Sequence, residues 1–415
     1  MPRERLSSKP AAVVIGLDCI TGLQTARLLN TRGVPVVGVA TNVKHFAART
    51  NVCQTVLKAA TAGEELFDTL ETLSARLEAG AVLYPCTDNS VHLLSAGRSR
   101  LGDGYLLALP EHHVVEMLMN KRSLYAFAKD RGFRVPGTFE VKDRQALEKT
   151  ITELRFPCVL KPSLKDSKWL ARSTAKAFKA ATAEELLQIY DKCADWSEHL
   201  IVQEWIEGPE SELYSCNVYF GKTAQPPLTF VARKIRQWPP QTGTSCLGVE
   251  CRADEVRDET VRLFDCVGYR GLGYVEMKRD VRTGEYLLIE PNVGRPTGRS
   301  AIAEAGGVEL LYTMYCDLIG AALPETRTQT YGNAKWIYLR RDLQAALHAR
   351  RRGELSAGEW LSSIRGPKTY AVFSLRDPLP FLLDFRRSIG LAISAVIARL
   401  KKQKLRSDRV VTPAA

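Results

Sequence analysis

The chain has 415 residues, 45% hydrophobic and 25% charged, and its 58 basic against 46 acidic residues give it a formal charge of +12. That composition excludes a largely disordered chain and allows two to four domains at ~100–200 residues each. The positive balance favours an anionic partner (nucleotide phosphate, acidic small molecule, nucleic acid or lipid surface), with a basic surface kept for solubility as the plain alternative.

Met1 to Pro10 is basic and lacks the apolar core of a signal peptide. No apolar run reaches the ~18 residues of a spanning helix. Ten cysteines are scattered without C-x-x-C or Cys/His zinc spacing, and several sit in apolar runs such as Phe156-Pro-Cys158-Val-Leu160. They read as small buried hydrophobes. The expectation is a reduced, cytoplasmic protein.

Ala12 to Asp18 reads as a buried strand opening into a turn, Gly22 to Asn30 as a helix and Val34 to Ala40 as a second strand. This is a βαβ unit of the doubly wound kind. Gly16 and Gly22 do not complete a G-x-G-x-x-G fingerprint, so they read as glycines for a tight turn. A nucleotide-dependent oxidoreductase would need the full fingerprint. Ala81 to Cys86 is a further strand, Thr87 to Ser90 a helix cap, and Leu106 to Leu109 a short strand. Residues 1–118 therefore form an α/β domain.

A second unit spans 119–323, divided near 205/206. Asn120-Lys121 opens a helix running to Arg131, and Phe156 to Pro162 is a buried strand carrying Lys161. Ala183 to Cys193 is helical, and His199 to Ile206 is a strand entering the Gly208-Pro209 turn. Leu213 to Phe220 and Leu228 to Lys234 alternate like antiparallel strands. Asp258 to Val267 is helical, Tyr274 to Lys278 and Tyr286 to Glu290 look like a strand pair, and Val308 to Ile319 is helical. The pattern is α+β. Residues 324–415 form an extension with a basic run, Arg350-Arg-Arg352, and a last helix over Phe381 to Leu405. That helix is apolar over Ile389 to Leu400 and then basic, suited to lying on a bilayer or to packing on the body. Arg350 to Arg352 alone is a solvated helix face, so no nucleic acid is expected.

The chemistry concentrates in 119–323. Glu276 lies in an apolar strand, Glu290 ends the next, and Asn292 follows. Adjacent antiparallel strands bring the two glutamates face to face. Paired buried carboxylates need a counter-cation, and carboxylate plus amide oxygens suit Mg²⁺. Lys161, pinned by Pro162, and Lys121, at a helix start, suit phosphate. The strand through Gln203, Glu204, Trp205 and Ile206, which bends at Gly208-Pro209, exposes edge amides and carbonyls for an adenine edge, and Glu210 can accept from ribose hydroxyls. Taken singly, each of these residues also fits a solvated surface position.

These pieces, in this order, resemble the ATP-grasp superfamily of carboxylate–amine ligases, over roughly Ala11 to Ile319. Leu213 to Phe220, Arg233 to Pro240 with Gly243, and Gly271 to Glu276 followed by Lys278-Arg-Asp280 are similar to the branch that includes D-aspartate ligase. The resemblance implies a doubly wound pre-ATP-grasp domain, a two-lobed ATP-grasp domain and a basic helical extension. It implies ATP and Mg²⁺, with Lys121 and Lys161 on the phosphates, 203–206 on adenine, and Glu276, Glu290 and Asn292 on the metal. Lys234 and Arg236 would approach the γ-phosphate or the carboxylate substrate, and Arg295 would steady an acyl-phosphate. An amine would then attack, releasing ADP and phosphate. Two departures stand out. Pro162 to Lys179 contains no glycine where the family has a Gly-rich flap, and carries Ser163, Lys165, Ser167, Lys168 and Trp169 instead. Arg295 falls one residue beyond the E-x-N-x-R spacing, with Arg299 as the substitute. A degenerate nucleotide-binding scaffold recruited to a membrane is the competing reading. Peripheral contact of the ligase itself with an anionic membrane is a further expectation.

Overall fold

The computed structural model of the chain describes residues 8–163, 167–173, 175, 177–240 and 243–387. The first sheet holds β1 (Ala11–Ile15), β2 (Val36–Ala40), β3 (Thr55–Lys58), β4 (Ala81–Pro85) and β5 (Tyr105–Leu106). All pairings are parallel, in the order β3-β2-β1-β4-β5. Its helices are α1 (Ile20–Thr31), α2 (Glu64–Ser74), α3 (Asp88–Ala96) and α4 (His112–Met119). β1, β2 and β4 are buried along their whole length, which is why they read as unbroken apolar runs. The strand expected at 106–109 is only Tyr105–Leu106, and β3, α2 and α4 had no clear signature in the sequence. The glycine reading holds. Gly16 sits at φ +91°, and a Cβ on Gly22 would lie 2.3 Å from the Gly16 carbonyl oxygen, so the turn is closed on itself.

The second sheet is antiparallel and has its own core. It follows α5 (Lys121–Asp130) and holds β6 (Thr138–Val141), β7 (Cys158–Pro162), β8 (Phe178–Ala180) and β9 (Leu200–Glu204) in the order β6-β9-β7-β8. α6 (Arg144–Ile151), α7 (Ser167–Arg172) and α8 (Ala183–Cys193) belong to this unit. Leu147, Leu160, Trp169, Leu186 and Val202 form its interior.

Part of the glycine-free segment 162–179 is folded onto this core. Trp169 is buried against Phe178 and Trp196, with ring centroids 5.4 and 5.6 Å away, and donates its indole N–H to the Ala175 carbonyl at 2.7 Å. An indole buries 150–250 Å², so it anchors α7 to the small-lobe core. Lys168 pairs with Glu198 at 2.8 Å. Lys165 lies outside the described residues.

The third sheet runs in the order β14-β13-β10-β11-β12-β15-β16. Its strands are β10 (Leu213–Phe220), β11 (Leu228–Trp238), β12 (Thr244–Glu250), β13 (Gly271–Arg279), β14 (Tyr286–Val293), β15 (Lys335–Ile337) and β16 (Lys368–Tyr370). α9 (Asp254–Asp265), α10 (Ser300–Ala305), α11 (Leu310–Ile319), α12 (Leu339–Arg351) and α13 (Ala357–Ser363) accompany it. One continuous apolar core joins this sheet to the first through Val14, Tyr84, Phe230, Leu311 and Trp336.

β15 and β16 lie beyond residue 323 yet extend this sheet, so the segment read as a separate extension begins as part of the large lobe. Three-residue strands carry too little periodicity to be seen in the sequence. We propose that the domain division follows the sheets: 11–106, 138–204 and 213–370. Residues 379–387 are helical, and the remainder of the expected terminal helix, 388–405, lies outside the described residues. Among the described residues no helix is long and apolar enough to cross a membrane.

Candidate functional site

The carboxylate pair is set by strand register. In the β13–β14 pairing Glu276 stands opposite Glu290 and Tyr274 opposite Asn292. Both glutamates and Asn292 are half-buried. Two cationic side chains already contact this set. Lys234 Nζ lies 3.2 Å from Glu276 Oε2, reaching across β10 from β11. The Arg295 guanidinium bonds Asn292 Oδ1. Asn292 Nδ2 is buried with no partner. Two carboxylates and an amide oxygen are hard donors, the set that suits Mg²⁺.

The two lysines come to the same place from the other side. Tyr125 on α5 donates to the Ile289 carbonyl at 2.6 Å, fastening that helix to β14. Lys161 on β7 donates to Gln203 Oε1 at 2.7 Å, and Gln203 Nε2 donates to Thr138 Oγ1 at 2.8 Å. Burial lowers the Lys161 pKa to about 7; the Lys121 charge adds to the fall and Glu290 opposes it. The charges of Lys121 and Glu290 thus both act on Lys161.

The bend after β9 is held tightly. The Trp205 N–H donates to the Pro157 carbonyl at 2.9 Å, and the Glu204 carboxylate accepts from the Gly137 N–H at 3.3 Å. The Ile206 carbonyl accepts from Lys278 Nζ at 2.7 Å. The ammonium groups of Lys179 and Lys278 lie 4.4 and 4.9 Å from the Trp205 ring centroid. Burial lowers the Lys278 pKa, and Lys179 adds to that. Glu210 Oε2 accepts from the Gln237 N–H at 2.9 Å, which moors the turn after the bend to β11.

The three expected catalytic cations separate in role. Lys234 is at the carboxylates. Arg295 is locked among Asp88 Oδ1 at 2.5 Å, the Tyr274 hydroxyl at 3.1 Å and Asn292. Burial opposes its charge, but Tyr274 and Asp88 outweigh burial and its pKa is raised. Arg236 is elsewhere. It makes a bidentate pair with the fully buried Asp342 of α12 at 2.8 and 3.0 Å and donates to Ser363 Oγ at 2.9 Å. The bulges on either side of Arg236 in the β11–β12 pairing break the alternation that would have kept it beside Lys234.

Arg299 is the fourth cation. It is 6% exposed, and its guanidinium donates to two hydroxyls, Ser215 Oγ at 2.9 Å and Ser245 Oγ at 3.4 Å. Ser215 is the strand neighbour of Glu276. Arg299 is therefore a buried guanidinium, one strand from the carboxylates, with no carboxylate partner among the described residues. Asp88, Tyr274 and Lys278 had no assigned role in the sequence reading. Asp88 was visible only as part of a helix cap, and its reach to Arg295 is a tertiary contact.

A cavity of about 360 Å³ opens beside the β1–α1 turn, lined in part by Asp18, Cys19, His45, Arg340, Arg341 and Arg387. It lies at the carboxyl ends of parallel strands, where doubly wound sheets take ligands. The cysteines offer no nucleophile there. Burial raises the thiol pKa of Cys19, Cys86 and Cys216 alike.

No family model matches the chain. It is 26% identical over 232 residues to the D-aspartate ligase of Enterococcus faecium, covering 53% of this chain and 54% of that one. It is 29% identical over 149 residues to a D-alanine–D-alanine ligase of Pseudomonas putida, covering 34% of this chain and 43% of that one. The chain thus spans about half the length of the curated relatives it matches. Its fold is similar to N5-carboxyaminoimidazole synthetase from Staphylococcus aureus, with TM-score 0.64, 15% identity, and coverage of 84% and 88% of the two chains. It is also similar to the biotin carboxylase domain of the Hydrogenobacter thermophilus 2-oxoglutarate carboxylase, solved with MgADP, with TM-score 0.59, 14% identity, and coverage of 78% and 72%. These neighbours are ATP-grasp proteins, and the chain has the ATP-grasp fold.

Proposed function

We propose that the chain is an ATP-dependent carboxylate–amine ligase. It binds Mg²⁺ and ATP between the small lobe and the large sheet, and phosphorylates a carboxylate. The acyl-phosphate is then joined to an amine, releasing ADP and phosphate. The carrying observation is the register that sets Glu276 against Glu290, with Lys161 of the opposing lobe acted on by the charges of Lys121 and Glu290. Converging hard oxygens and ammonium groups fit a metal-bound polyphosphate. The relatives named as ligases and the neighbours solved with ADP support the same reading.

Glu276, Glu290 and Asn292 would hold Mg²⁺, which neutralises phosphate charge when bound. Lys121 and Lys161 hold the phosphates, the backbone of 203–206 takes the adenine edge, and Glu210 faces the ribose. Lys234 leaves Glu276 for the transferring phosphoryl oxygens. Arg295 is a positioning residue that orients Asn292. Arg299 takes the charge that develops on the acyl-phosphate, in place of Arg236, which is committed to Asp342. Phosphoryl transfer needs mainly positioning and charge neutralisation, so no covalent nucleophile is required. Incubation with ATP and a panel of amino acids and acidic cell-envelope precursors, scored for nucleotide products, tests the reading. ADP with phosphate supports it; AMP with pyrophosphate assigns the chain to an adenylating class, and no turnover with any pair supports a binding scaffold.

A specific observation favours peripheral contact with an anionic membrane through the last part of the chain. Among the described residues, nine of the eleven exposed large hydrophobics fall between 339 and 385, including Leu339, Leu343 and Leu347 along α12 and Leu375 at 85% exposure. Sedimentation with anionic vesicles at low salt checks this. Leu343→Glu with Leu347→Glu should release the protein from the vesicles and leave turnover unchanged. Equal sedimentation of the variant would remove α12 from the contact.

A further inference from the structure

Away from the nucleotide cleft, two helices of the first domain bring together His92 of α3 with His112 and Glu116 of α4. One ligand atom from each lies within 4.8 Å of the others. His112 Nε2 is 3.5 Å from Glu116 Oε1, and His92 Nε2 is 3.8 Å from the same oxygen. The two imidazoles meet edge to face with centroids 5.1 Å apart. Zn–N and Zn–O bonds of ~2.0–2.1 Å put tetrahedral ligand atoms about 3.3 Å apart, close to the spacing already present.

The surroundings of His112 strengthen the case. Ser95 Oγ bridges the His92 carbonyl at 2.8 Å and His112 Nδ1 at 2.9 Å. That contact holds the ring by its far nitrogen, with Nε2 on the side of the Glu116 carboxylate. A hydrogen bond that fixes the far ring nitrogen is also the support that metal-ligating histidines receive. The neighbouring cation does not fill the gap, because Arg98 donates to the Leu109 and Pro110 carbonyls at 2.9 and 2.7 Å.

We propose that His92, His112 and Glu116 form a binding site for a divalent transition metal of the Zn²⁺ type. Two imidazoles and one carboxylate leave a fourth position to water, and the donor set favours Zn²⁺, Co²⁺ or Ni²⁺ over Mg²⁺. The ion would bind α3 to α4. α3 begins with Asp88, which holds Arg295, and α4 ends one residue before Asn120, which caps the Lys121 helix. The proposal is independent of the ligase reading.

The full chain, stripped with chelator and kept in excess Mg²⁺ to occupy hard-oxygen sites, is titrated with Co²⁺. The expected result is one equivalent bound, with visible d–d absorption and no thiolate charge-transfer band. His92→Ala and Glu116→Gln should each weaken binding by at least about tenfold, and Ser95→Ala, which frees the His112 ring, by about tenfold. His92 and Glu116 are exposed and Ser95 is buried, and near-wild-type thermal unfolding of the stripped variants checks their folding. Absence of binding overturns the proposal. So does a thiolate spectrum, or affinity unchanged in His92→Ala and Glu116→Gln.

Discussion

Residues 1–323 and residues 324–415 differ in charge as well as in burial. The first carry 40 basic and 39 acidic residues, the second 18 and 7. Nearly all of the +12 therefore belongs to the last quarter of the chain. The same quarter holds most of the exposed large hydrophobics among the described residues, whereas the earlier sheets bury theirs. In the earlier part, charge is paired at short range around a cleft, as in Lys234 with Glu276 and Arg295 with Asp88. In the later part, Asp342, Asp377 and Asp384 are buried in ion pairs and the surface is left basic. Overall charge thus says little about the cleft. It describes a surface grown onto it.

The comparison breaks if chemistry does not sit in the first part. Glu290→Gln keeps shape and removes one charge from the carboxylate pair. Turnover should fall by about a thousandfold, the scale of losing a key electrostatic group, with weakened Mg·ATP binding by calorimetry and an unchanged unfolding temperature. Unchanged Mg·ATP affinity would remove Glu290 from the metal set. Arg299→Ala should lower turnover more than it lowers Mg·ATP affinity, because the proposed charge appears only during transfer.

The two parts are joined by a buried pair, which gives the next effect. Asp342 is fully buried and receives Arg236 twice and the Trp360 indole at 2.9 Å. Asp342→Asn would leave Arg236 buried without its counter-charge, at a cost of about 3–5 kcal/mol. Denaturant unfolding measures it. A loss below about 1 kcal/mol would mean that α12 is held mainly by its apolar contacts.

These residues also mark what was legible in the sequence. Strands β7, β9, β10, β11, β13 and β14 were visible because each runs five or more residues with buried alternation or unbroken apolar character, whereas β6, β8 and β12 were not read. The pairing of Glu276 with Glu290 followed from two such strands and a short turn. The placement of Arg236 on Asp342 was not legible because the bulges beside it leave no trace in composition. The burial of Trp169 was not legible, because it depends on Phe178 and Trp196 folding over it. The attachment of 324–370 to the large sheet was hidden by strands of three residues.

Lys161 sharpens the electrostatic side of the comparison. Its pKa of about 7 in the free protein reflects burial first and then Lys121. A bound polyphosphate restores the charged form and raises that pKa. ATP affinity should therefore be flat below pH 7 and fall as pH rises above it, by up to about tenfold between pH 8 and 9. Binding at pH 8 should take up a proton, read from calorimetry in buffers of different ionisation enthalpy. The sign for stability is opposite. Between pH 7 and the ordinary lysine value the unfolded chain holds the proton that the folded chain lacks, so this group favours folding more as pH rises. Lys161→Arg keeps its charge across the range, and the pH dependence of binding should vanish.

The smallest effect tests the surface itself. Arg351 is exposed at the end of α12 and follows the Leu339, Leu343 and Leu347 line. A basic residue near an anionic leaflet is worth about 1 kcal/mol, roughly fivefold in partition. Arg351→Ala should therefore weaken vesicle sedimentation by about that factor at low salt, and the difference should shrink as salt screens it. Turnover and Mg·ATP affinity should not change. If turnover falls with the same substitution, the basic surface belongs to the substrate path instead, and the cavity lined by Arg340, Arg341 and Arg387 becomes the place where that substrate enters.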